Sequence, residues 1–140
     1  MIRRIRNRGM ITAGIIYVQF ILGALLRHFG MGVDIGYASL HVIWGMVALV
    51  AIGVTGLTIR IRLWDDTPLR RSAAAMMYMV IVQIALGFLA FAVLMEERGT
   101  PESLTQVWLN SSHLVVGALV MASVISVIAF TLRAAPEPAS

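Results

Sequence analysis

The chain has 140 residues, 59% of them hydrophobic and 13% charged, with a mean hydropathy of +0.88, a balance that excludes an ordinary soluble domain. Cysteine is absent, which excludes disulfides, zinc–thiolate sites, iron–sulfur clusters and covalent c-type heme attachment. The net charge of +4 comes from eleven basic residues, all arginine and mostly beside the ends of apolar runs, so it is a topology signal and nucleic acid is not an expected partner.

Four apolar stretches, at about 10–29, 37–59, 73–95 and 107–132, are each long enough to cross a hydrocarbon core about 30 Å thick. They use most of the chain and predict a single membrane domain over 1–140 with the lipid bilayer as its solvent. The first run follows Arg3, Arg4, Arg6 and Arg8, but Gly23-Ala24-Leu25-Leu26-Arg27-His28 offers no small-residue cleavage site, so it reads as a helix and not as a secretory signal. Those arginines, with Arg60, Arg62, Arg70, Arg71 and Arg133, oppose only Arg27 and Arg98 on the other side. The positive-inside rule then predicts both termini in the cytoplasm of a prokaryotic inner membrane, with outer loops at about 30–36 and 96–106. Disorder is expected for the Pro136- and Pro138-containing tail after Arg133.

Gln19-Phe-Ile-Leu-Gly23 in the first helix recurs as Gln83-Ile-Ala-Leu-Gly87 in the third, and His41-Val-Ile-Trp-Gly45 in the second recurs as His113-Leu-Val-Val-Gly117 in the fourth. The chain is therefore two copies of one helical hairpin in the same orientation, parallel repeats related by an axis along the membrane normal. Short connections predict an all-α, up-down-up-down four-helix bundle.

Ionisable side chains at membrane depth are costly and rare, so His41 and His113, in matching positions on matching helices, call for a shared partner. A non-covalently held heme b with two axial imidazoles is such a partner. Tyr37 lies four residues before His41 and Trp108 five before His113; with both aromatics at the interface, each imidazole sits about 6–8 Å inside it. The second and fourth helices lie on a diagonal of about 14 Å, a span two inward-reaching histidines and an iron can fill.

Gly45 and Gly117, four residues after the histidines, share their faces and would leave bare backbone against a porphyrin. Gln19, Gly23 and Arg27 share another face, which puts Arg27 one turn outward, either as a forked donor to heme propionates or as a snorkelling interfacial anchor. Gln19 and Gln83 also suit hydrogen bonds across the bundle, and Gly53 and Gly56 helix packing. His28, at the outer end of the first helix, is open to four readings: a second-shell donor, a proton-transfer group, a ligand of another heme, or an interfacial residue of no special role. Glu96, Glu97 and Glu102 read as solvated loop charges. Asp34 lies in a loop seven residues before His41. No phosphate loop, serine triad or paired intramembrane carboxylates are present, so no catalytic residue is assigned.

These residues resemble the heme A synthase family of integral membrane proteins. Leu22-Gly-Ala-Leu-Leu-Arg-His-Phe-Gly30 is similar to the family's segment at the end of a first helix, His41 to its second-helix ligand, Gln83-Ile-Ala-Leu-Gly87 to its third-helix glutamine segment, and His113 to its fourth-helix ligand. The resemblance spans nearly the whole chain, as one half of the family's usual eight helices. It implies that His41 and His113 ligate a b-type heme, with Gln19, Gly23, Arg27, His28, Gly45, Gln83, Gly87 and Gly117 around it. It also implies that two chains pair to rebuild the two-half architecture, or that the chain is a subunit of a larger membrane complex. The family's catalytic half carries a glutamate three residues before the second-helix histidine, where this chain has Ala38, and its outer-loop cysteines are missing here. The closer half is the one that holds heme as an electron-transfer cofactor. Three readings follow: a b-type cytochrome that transfers electrons or handles heme, a half-size heme A synthase acting as a homodimer, and a colourless assembly or transport subunit.

Overall fold

The computed structural model describes residues 1–29, 34–97 and 101–133. Four helices run in chain order, α1 (Ile2–His28), α2 (Ile35–Arg62), α3 (Thr67–Glu96) and α4 (Leu104–Arg133), and no strand occurs among the described residues. Each is long and apolar enough to cross a membrane. At 1.5 Å per residue the helices are about 40–45 Å long, so they outrun a hydrocarbon core of about 30 Å. The hydropathy-based starts at about 10 and 73 accordingly fall short of Ile2 and Thr67. Arginine is a good helix former, and the backbone ladder continues through the arginine-rich turns after the apolar run has ended.

Local chemistry sets the ends. Asp34 and Asp66 cap α2 and α3, accepting from the backbone N–H of Tyr37 (3.0 Å) and Leu69 (3.1 Å), and the Ser103 hydroxyl accepts from Gln106 N–H (3.1 Å) at the start of α4. Each cap satisfies a donor that the helix itself leaves unpaired. Pro68, in the first turn of α3, has its φ set for a helix start. Arg27 and His28 close α1, Arg60 and Arg62 close α2, and Arg133 closes α4, where positive charge complements the carbonyl end of the helix dipole. The α2–α3 turn is only Leu63–Asp66, clamped by Arg70, which donates to Trp64 O (3.2 Å) and lies 4.9 Å from the Trp64 ring centre.

Each helix packs on its two neighbours in a closed ring, α1 on α2, α2 on α3, α3 on α4 and α4 on α1, which leaves α2 and α4 on one diagonal. Apolar side chains lie outside as well as inside; Tyr17, Val42, Ile81, Phe88 and Leu114 are exposed, giving the helices the apolar outer faces that membrane spans carry. The apolar core occupies the arginine-rich part of the bundle. Ile5, Ile59, Leu69, Ala73 and Val127 form one layer and Ile16, Ile52, Met76, Val120 and Val124 the next. A buried Thr12–Thr55 hydroxyl pair (3.0 Å) joins α1 to α2. Beyond the second layer, toward the opposite end, the interior becomes polar. The tail 134–140 and parts of the two connections expected to be outer loops, 30–33 and 98–100, lie outside the described residues.

Candidate heme-binding site

One polar layer, built from all four helices, holds the sequence's repeated residues. α1 supplies Gln19 and Gly23, α2 His41 and Gly45, α3 Gln83 and Gly87, and α4 His113 and Gly117. The two imidazoles, half-buried, meet across the diagonal with ring centres 6.4 Å apart and planes inclined at 66°. A metal held between two imidazoles at about 2 Å from each nitrogen requires ring centres roughly 6 Å apart, so the separation suits a shared ion.

Each histidine is served by the hairpin partner of its own helix. Gln19 Nε2 lies 3.2 Å from His41 Nδ1, 3.3 Å from His41 Nε2 and 3.1 Å from the His41 carbonyl oxygen. Gln83 Nε2 lies 3.2 Å from His113 Nε2, while His113 Nδ1 lies 3.1 Å from the Gln83 carbonyl oxygen. The Oε1 atoms of both glutamines are buried without a protein hydrogen-bond donor. An unsatisfied buried acceptor costs about 1–3 kcal/mol, so two of them in equivalent positions are an expensive way merely to pack helices.

The glycines make room for these groups. A Cβ on Gly23 would stand 3.1 Å from His41 Cε1, and one on Gly87 2.9 Å from His113 Cε1. The rings thus lean on bare backbone of the neighbouring helix. Gly45 and Gly117 do the same for the glutamines: a Cβ would come within 3.1 Å of Gln19 Nε2 at Gly45, and within 3.1 Å of Gln83 Nε2 and 3.0 Å of Phe20 Cε1 at Gly117. The structure therefore sets a glutamine amide against each glycine that the sequence offered to a porphyrin.

Three sequence candidates sit apart from this layer. Arg27 pairs with Glu102 at 2.6 Å on the surface, the two side chains being 61% and 43% exposed, so Glu102 is a partner and not a merely solvated charge. His28 is exposed at the end of α1, its ring edge-on to Phe29 at 4.8 Å between centres. Asp34 is committed to the α2 cap. Sequence reasoning missed Trp44, whose indole N–H donates to Ile15 O (2.9 Å) and fastens α2 to α1 one turn beneath His41. A tryptophan at membrane depth must find an acceptor for its N–H, and that requirement was readable.

The layer fits a bis-histidine metal group on three counts: two imidazoles with ring centres 6.4 Å apart, orphaned polar atoms beside them, and glycine cradles that a methyl group would fill. Among the described residues no group of three or more histidine, cysteine or carboxylate side chains comes together. Comparison of the chain with protein-family models, with curated proteins and with solved structures gives no match.

Proposed function

We propose that the chain is a membrane-embedded b-type cytochrome, holding heme b between His41 and His113 and acting in electron transfer or heme handling. The observation that carries this reading is the meeting of two imidazoles at 6.4 Å from equivalent positions of two repeated hairpins. With two protein nitrogens as the donor set, a group that brings its own equatorial ligands is a better match than a bare cation, which wants three or four protein donors. Held by His41 and His113, heme would supply one-electron chemistry.

The chain's own residues do the holding. His41 and His113 donate from opposite corners, and Gly23 and Gly87 let the rings lie close to α1 and α3. The apolar layers beneath them keep the site away from the arginine-rich end. We place that end, and both termini, in the cytoplasm, with the site toward the outer face of a prokaryotic inner membrane, on the arginine asymmetry alone. The resemblance to half of a heme A synthase supports the same ligands and a homo-oligomer or a larger complex.

Optical spectra of the purified protein, oxidised and reduced, test the reading. A low-spin b-type spectrum is expected, lost in both His41→Ala and His113→Ala. A colourless wild-type protein, or a low-spin spectrum unchanged in both variants, would overturn it.

A further inference from the structure

A groove of about 340 Å³ runs along the surface between α3 and α4, separate from the histidine layer. Ser72, Ala75, Ala122 and Ser126 line it, with Arg71 at one end and Leu119 at the other. Its hydroxyls do not make it polar, because Ser123 and Ser126 donate to Leu119 O and Ala122 O of their own helix, each at 2.9 Å. A serine whose donor is turned back onto its helix meets a neighbour as a small residue does, which suits hydrocarbon.

Depth decides what can lie there. α3 has 30 residues and is about 45 Å long, so when centred on a hydrocarbon core of about 30 Å it projects about 7 Å at each end. Arg71 follows the first residue of α3, Thr67, by about 6 Å, which sets it where hydrocarbon meets headgroups. From Arg71 to Met79 the groove descends about 12 Å toward the middle of the bundle. A cation therefore stands at headgroup level above an apolar trough at acyl-chain level.

The charge at the mouth is uncompensated. Arg70 is engaged with the Trp64 carbonyl and Arg8 with the Thr58 hydroxyl, whereas among the described residues Arg71 meets no carboxylate. Arg133, seven residues after Ser126 and so on the same face of α4, adds a second exposed guanidinium without a carboxylate partner. Guanidinium groups match phosphate, which they bind through two parallel N–H···O bonds. A comparable groove between α1 and α2, at Met46, Val50 and Ala51, has no charged residue along it.

We propose that the α3–α4 groove binds one anionic phospholipid, its phosphate on Arg71 and one acyl chain laid along the groove from Ser72 to Leu119. The assignment follows from span and charge and holds whether or not the chain binds heme.

The test uses the whole chain in a mild detergent, freed of lipid and titrated with dioleoylphosphatidylglycerol or dioleoylphosphatidylcholine, with native mass spectrometry counting the lipids that stay bound. One phosphatidylglycerol per chain is expected, held about tenfold more tightly than phosphatidylcholine, the size of one hydrogen-bonded contact to a charged group. Arg71→Gln is expected to remove that preference, while Arg3→Gln, which changes the net charge equally on α1, keeps it. Ala122→Leu fills the groove without touching the cation and is expected to weaken phosphatidylglycerol by a similar factor, with helix content by circular dichroism unchanged in all three variants. Equal affinity for the two lipids, a preference kept in Arg71→Gln, or one lost equally in Arg3→Gln would overturn the headgroup assignment. Undiminished binding in Ala122→Leu would overturn the acyl-chain assignment. A lipid-free dimer that Ala122→Leu dissociates would give the groove to a second copy of the chain and overturn the proposal.

Discussion

Gly87 has a narrower tolerance than any other residue of the polar layer, because the atom 2.9 Å from its would-be Cβ belongs to a ring held at both nitrogens. Gly87→Ala is expected to cost about 1–3 kcal/mol in thermal unfolding and to lower heme retention, since the ring cannot retreat without losing its bonds. Gly23→Ala, with 3.1 Å to His41 Cε1 where Gly87 has 2.9 Å to His113 Cε1, should cost somewhat less in both assays. A larger loss in Gly23→Ala than in Gly87→Ala would contradict that order. Arg27 poses a different question, because its visible partner is Glu102. An exposed pair of this kind contributes about 0–1 kcal/mol, so Glu102→Gln should leave stability and heme content almost unchanged. Because Arg27 is exposed, apart from the polar layer and paired with Glu102, Arg27→Leu is expected to leave the reduction potential of heme-loaded protein almost unchanged. A lowered potential in Arg27→Leu would instead bring its positive charge to the propionates.

Helix pairing depends on a few close approaches that differ in what they press against. A Cβ on Gly9 of α1 would stand 2.9 Å from Ile128 Cγ1 of α4. Isoleucine is stiff at χ1, so the helices would have to part, and Gly9→Ala is expected to lower stability by about 1–3 kcal/mol. At Gly56 the obstacles are Met77 Cγ and Sδ, at 2.8 and 2.9 Å. Methionine can swing aside, so Gly56→Ala should cost less. Nothing lies within 4 Å of a Cβ on Gly14. There alanine should be neutral or stabilise by up to about 1 kcal/mol through helix propensity. Thermal unfolding of the three variants in one detergent checks the order Gly9, Gly56, Gly14.

The whole bundle has a polar layer at one end, arginines at the other and a dry core between, and this polarity defines two predictions. Because the chain has no cysteine, single substitutions report sidedness cleanly. With cells intact, a membrane-impermeant maleimide is expected to label Pro101→Cys and to spare Asp65→Cys until the membrane is opened; the reverse pattern would invert the proposed orientation. The second prediction concerns chemistry. Ala38 stands where the resembled family's catalytic half carries glutamate, and Asp34 is engaged with Tyr37 N–H at the α2 cap. Among the described residues no carboxylate is therefore set at the histidines to stabilise developing positive charge or move protons during methyl oxidation. Protein supplied with heme O, oxygen and reductant is therefore expected to yield no heme A by mass spectrometry, while remaining reducible. Heme A that disappears again in Asp34→Asn would favour a half-size synthase.

Four helices, their order around the bundle, the hairpin repeat and the placing of His41 and His113 on one diagonal were legible from apolar run length and residue spacing, because both are one-dimensional properties of the chain. The helix ends were less so. Hydropathy records which solvent a side chain prefers, whereas a helix continues for as long as its backbone bonds do, through Arg3–Arg8 and out to Asp34, Asp66 and Ser103. A turn of 3.6 residues also tells which side chains share a face, and Gln19 with Gly23 was readable on that ground. What that face meets depends on the rotation of each helix about its own axis, which is settled by neighbours packing together. That rotation put Gly23 and Gly87 against the imidazoles, Gly45 and Gly117 against the glutamines, and Arg27 against Glu102. It also set each imidazole against the glutamine of its own hairpin, Gln19 beside His41 and Gln83 beside His113, a pairing that the two repeats share.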